Sequence, residues 1–80
     1  MAQVTVNIDG KAYRMACEEG QEDHLLDLAA RFDSYISNLR GSFGEIGDLR
    51  LTVMAGIMIM DELHALQTAV DANAAELAEL

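Results

Sequence analysis

In VTVNIDGKAYRM, residues 4 to 15, Val4, Val6 and Ile8 alternate with Thr5, Asn7 and Asp9, the two-residue period of a half-buried strand. Asp9-Gly10 is a preferred two-residue hairpin turn. Closing it pairs Ile8 with Lys11, Val6 with Tyr13 and Val4 with Met15, leaving Thr5, Asn7, Ala12 and Arg14 on the opposite, polar face. Two strands alone are marginal in water, so a helix or a second chain has to cover the apolar face. From about Gln21 to Arg40 the period lengthens. Leu25, Leu28, Phe32, Tyr35 and Leu39 recur at spacings of three and four, with Ala29 and Ile36 beside them, which predicts one apolar stripe on a helix. Glu22 and Asp23 in the first turn and Arg40 in the last suit the helix dipole, and Gly41 is the expected stop.

GSFGEIGD then supplies a glycine-rich connection, and Asp48 is the expected N-cap of a second helix. Nothing ends that helix before Leu80, so residues 49 to 80 would extend for about 48 Å. Its character changes midway. Leu51 to Met60 is interrupted only by Thr52 and Gly56, which predicts a helix buried on all sides; beyond it, Leu63, Leu66, Val70, Leu77 and Leu80 form a heptad seam broken by Asn73. The predicted fold is α+β: a head of one β-hairpin and one helix (residues 1–66, including the apolar start of the long helix), then a short coiled-coil tail (67–80). One helix and one hairpin cannot surround the apolar run. A second copy is expected to do so, through Leu51, Val53, Met54, Ile57, Met58, Met60, Leu63, Leu66 and Val70.

Composition sharpens this picture. Eighty residues make one small domain, which buries too little surface to be comfortable alone, yet 51% of the chain is hydrophobic with only 5% aromatic and no Pro or Trp. That aliphatic, Met- and Ala-rich content suits packed helices that self-associate. The apolar run is half the roughly 20 residues a membrane span requires, and no secretory leader opens the chain. The single cysteine, Cys17, is expected to be a buried thiol in a reducing, cytoplasmic setting. Net charge is −9. The bases Lys11, Arg14, Arg31, Arg40 and Arg50 all lie in the first fifty positions, while residues 51 to 80 carry five acids and no base. This is the wrong sign for nucleic acid or anionic lipid.

No residue set nominates a catalytic, cofactor, metal or small-molecule site. MDELHALQ has one His where the metalloprotease pattern needs two, so Asp61, Glu62 and His64 are read as solvated or dimer-edge groups, and His24 as a surface residue. Ser34, Ser37 and Ser42 have no base in a nucleophile pattern. Glycines 41, 44 and 47 are not followed by the Lys-Ser/Thr of a phosphate loop. Met15, Met54, Met58 and Met60 fit core packing better than an adaptable binding groove.

The hairpin VTVNIDGKAYRM, the acidic helix start CEEGQEDHLLDLAARFD and the apolar LTVMAGIMIMDELHALQ, in that order, resemble the ZapA family of bacterial cell-division proteins over about residues 4 to 67. The resemblance implies a non-enzymatic partner of the tubulin-like protein FtsZ that crosslinks its filaments at midcell. It also implies a homodimer joined through the head and the start of the long helix, with tetramers in many members through the tails. The family's basic FtsZ-contacting positions match Lys11, Arg14 and Arg40 here, and the charge pattern adds Arg50. Thirteen residues follow Gln67, fewer than family tails usually have, and Glu62 and Glu76 at g positions face no base at e, so tail pairing is expected to be weak. The competing expectation is a dimeric helical adaptor or antitoxin-like module with an unrelated partner.

Overall fold

The computed structural model describes residues 1–79. Strands β1 (Ala2–Ile8) and β2 (Lys11–Cys17) form an antiparallel hairpin, followed by helices α1 (Glu22–Phe43) and α2 (Asp48–Glu79). The register is the one the alternation predicts: Ile8 opposes Lys11, Val6 opposes Tyr13, Val4 opposes Met15 and Thr5 opposes Arg14. Positive φ at both Asp9 (54°) and Gly10 (77°) is the signature of the tight turn whose twist matches that of its strands. The pairing runs on to Ala2 and Cys17, where Cys17 is partly exposed rather than buried.

Helix α1 lies across β1, and Val6, 2% exposed, anchors that contact. Helix α2 packs on the C-terminal half of α1, where Ile36, Leu39, Leu51 and Ala55 form the buried centre, with Ile8, Phe32, Tyr35, Ile46 and Met54 around it. The focus of burial is therefore Ile36, at the edge of the expected stripe, while Leu28 remains 46% exposed. Two partners draw on different parts of α1, and Leu28 lies at the open groove beside the hairpin.

Two local expectations are corrected. Gly41 does not stop α1; the helix continues to Phe43, and the break falls at Gly44. Gly44 has φ 76° and ψ −157° and its N–H donates to the Arg40 carbonyl at 2.8 Å, a conformation open essentially to glycine alone. Asp48 does not cap α2. The first helical hydrogen bond runs from the Leu51 N–H to the Gly47 carbonyl at 3.0 Å, so Gly47 occupies the cap and Asp48 is the first helical residue. The run from Leu51 to Met60, which one hairpin and one helix are not expected to surround, is exposed on one side of the single chain. Leu51 and Ala55 are fully buried, whereas Val53, Ile57 and Met60 are 52%, 64% and 62% exposed.

No helix is long and apolar enough to cross a membrane among the described residues. The radius of gyration is 16.7 Å, against about 12 Å for a compact chain of this length, because α2 projects beyond the head and only its first turns have anything to pack on. Leu63, Leu66, Val70 and Leu77 of the expected seam all lie exposed on this projection; Leu80 falls outside the described residues.

The two ends of α2 should respond differently to truncation. Leu51→Ala is expected to cost about 2–5 kcal/mol in urea unfolding, the usual loss for a leucine emptied from a closed core. Leu77→Ala is expected to stay within about 0.5 kcal/mol.

Candidate protein-interaction site

The hairpin turn, the end of α1 and the start of α2 meet in a network of ion pairs centred on Arg40. Its Nη2 lies 2.6 and 2.7 Å from the two carboxylate oxygens of Asp9 and 3.2 Å from Oδ1 of Asp48, and its Nη1 donates to Glu45 at 2.8 Å. Lys11 Nζ approaches the other oxygen of Asp48 at 3.0 Å. Asp9 is held from a second side, since its backbone N–H donates to Oδ1 of Asp33 at 2.7 Å. A turn with positive φ at a non-glycine residue is thus pinned to α1 through both its backbone and its side chain, and α2 is tied to both.

These contacts set the charge states. Hydrogen bonds to Asp9 first, then to Glu45 and Asp48, hold the Arg40 guanidinium charged beyond its already high ordinary value. Hydrogen bonding from Lys11, and then from Arg40, lowers the Asp48 carboxyl below its usual range, while the same pairing raises Lys11. Elsewhere between the helices, the Tyr35 hydroxyl donates to Glu62 at 3.3 Å, and desolvation followed by the nearby Glu62 charge pushes the phenol up.

Beside the network a groove of about 520 Å³ opens between the hairpin and the helices. Tyr13, Met15, Leu25, Leu28, Phe32 and Leu49 are among its apolar lining, and Asp9, Lys11 and Asp48 line its end by the turn. Lys11 shares this face with Tyr13 and Met15.

Of the four basic residues singled out in the sequence, the fold brings two together. Lys11 and Arg40 converge on Asp48, whereas Arg14 lies exposed on the opposite face of the hairpin, across from Thr5, and Arg50 is exposed on the first turn of α2. Among the described residues, Arg14 and Arg50 enter none of the ion pairs. The proposed interface residues divide as well. Leu51 is consumed by the core of its own chain and Met54 is half-buried against it, while Val53, Ile57, Met58, Met60, Leu63, Leu66 and Val70 are exposed. Sequence reasoning missed Asp9, Asp33 and Glu45 as network members. The pairs that involve Asp9 join residues 24 and 31 positions apart, which no local spacing betrays.

The sequence profile described as cell division protein ZapA matches residues 4–80. The chain belongs to the ZapA family. Membership makes it a cell division protein, of a non-enzymatic family associated with FtsZ, and supports the first of the two functional readings of the sequence. A search of curated proteins finds no match. Among solved structures, the fold is similar to one titled an unknown conserved bacterial protein from Pseudomonas aeruginosa PAO1, with a TM-score of 0.83 and 26% identity over 99% of this chain and 87% of that one. The fold is thus shared with that protein, and in this chain the Arg40 network is built at the three-way junction of hairpin, α1 and α2.

The network should leave a pH signature. Asp48 has a folded pKa below its unfolded one, so its charge stabilises the fold above the unfolded value and that contribution is lost as pH falls through the folded one. The thermal midpoint of the wild type is expected to exceed that of Asp48→Asn at neutral pH, and the gap to close below about pH 4. Calorimetry of both proteins across that range is the check.

Proposed function

We propose that the chain is a dimeric, FtsZ-binding protein that crosslinks FtsZ filaments at the midcell ring, in the cytoplasm. The observation that carries this reading is the uncovered apolar side of α2 in a chain of the ZapA family. Val53, Ile57 and Met60, continued by Leu63, Leu66 and Val70, make an apolar strip that a soluble chain does not leave in water, while Met58, 38% exposed, follows Leu51 and Ala55 on the neighbouring row of the helix. A second copy laid along it covers both strips at once, as two-fold symmetry requires. The resulting particle carries two heads, and two heads are what a crosslinker needs. In this division of labour residues 1–66 bind FtsZ and begin the dimer, and residues 67–80 extend it toward higher assembly.

FtsZ contact is assigned to the basic residues of the head. Arg14 is the readiest of them, standing on the outer hairpin face with no competing carboxylate in reach among the described residues. Arg50 is exposed in the same way. Lys11 and Arg40 are the other basic residues assigned, but they are already engaged with Asp48 and Asp9.

Three variants separate the parts of this reading. Lys11→Glu with Arg14→Glu should remain a folded dimer and lose co-sedimentation with FtsZ polymers, and wild-type binding should weaken as salt screens the contact. Undiminished pelleting of the double variant would remove these residues from the interface. Ile57→Glu should abolish the dimer and, with no stable folded monomer to fall back on, lose the helical circular dichroism signal; a variant that stays a fully stable dimer would remove Ile57 from the interface. Deleting residues 68 to 80 should leave the dimer intact, because roughly two heptads with unpaired g-position acids add little; a monomeric truncation would place the main interface in the tail.

A further inference from the structure

The two engaged bases of the head are held very differently. The Arg40 side chain is 27% exposed, and its main partner Asp9 is 20% exposed and touched through both oxygens. Withdrawing Arg40 toward an outside partner would strand a half-buried carboxylate, the costly direction for any ion pair. Lys11 and Asp48 are 55% and 50% exposed and meet through one contact at 3.0 Å. A wet pair of this kind contributes little and exchanges readily, and the lysine ammonium sits on a flexible stem that can turn outward.

Asp48 also has a second cation, since its other oxygen lies 3.2 Å from Arg40 Nη2. When Lys11 leaves, Asp48 keeps Arg40, and when Lys11 arrives at an external carboxylate it gains what it gave up. No group is orphaned at either end of the exchange.

We propose that Asp48 is a built-in competitor for the acidic surface of the filament partner: it holds Lys11 in reserve and so sets how tightly the head binds, while Arg40 stays fixed to Asp9 and keeps the junction in place. This rests on the assignment of Lys11 to the FtsZ interface. It requires that neutralising Asp48 strengthen binding, whereas a pair that merely positioned the hairpin would make the same change weaken it.

The test is a co-sedimentation titration against FtsZ polymers with wild type, Asp48→Asn, Lys11→Ala and the double variant. Asp48→Ser runs in parallel as a second neutral replacement suited to a helix start, and circular dichroism confirms the fold of each. Asp48→Asn and Asp48→Ser should lower the half-saturating concentration roughly three- to five-fold, and the gain should vanish when Lys11 is alanine. Weaker or unchanged binding of both Asp48 variants, with Lys11→Ala alone impaired, overturns the competitor and leaves the interface assignment standing. Full binding by Lys11→Ala overturns both.

Discussion

The dominant constraint on this molecule is a mismatch between apolar surface and the means to cover it. Half of the chain is hydrophobic, but a hairpin and one helix offer only enough partner surface to close a core around Ile36, Leu39, Leu51 and Ala55. The rest of the apolar start of α2 faces outward. Because burial of apolar area is the main favourable term in folding and association alike, the same surface that a single chain cannot hide is the ground for the proposed pairing. Stability of the head and the proposed self-association are thus two uses of one helix: the side bearing Leu51 and Ala55 faces inward, and the side bearing Val53, Ile57 and Met60 is exposed.

Given so small a core, polar contacts are asked to fix geometry that packing alone would leave loose. The Arg40 network does this where the hairpin turn, the end of α1 and the start of α2 converge. It draws on the few bases of an acidic chain, so the charges that hold the head together and those proposed to reach FtsZ come from one short supply. Arg14 and Arg50 remain outward, Arg40 is committed inward, and Lys11 stands between them. A head so arranged can bind an acidic partner only with cations its own fold does not need.

What could be read from the sequence depends on the range of the forces involved. The hairpin register was legible because alternation and the Asp9-Gly10 turn are local, and a one-residue slip would have turned Val4, Val6 and Ile8 to the wrong face. The existence of both helices was evident from periodicity. The end of α1 was not, because Gly41 and Gly44 carry the same local signal, and only the backbone's positive φ at Gly44 distinguishes them. Asp48 was legible as the residue that opens α2 but not as a partner of Lys11, 37 positions away, because a tertiary ion pair leaves no local pattern. Leu51 shows the same limit in the core. Its apolar character was evident, yet whether it meets Ile36 of its own chain or a second copy depends on how α1 and α2 cross. The basic residues were legible as the scarce cations of the chain, whereas their division into engaged and open ones required the fold.

Sedimentation equilibrium of the wild-type chain at micromolar concentration and neutral pH tests most directly whether the uncovered side of α2 organises the protein. An obligate dimer gives twice the 8.7 kDa chain mass with no folded monomer on dilution. A folded species of 8.7 kDa with its apolar helix face stable in water would contradict it.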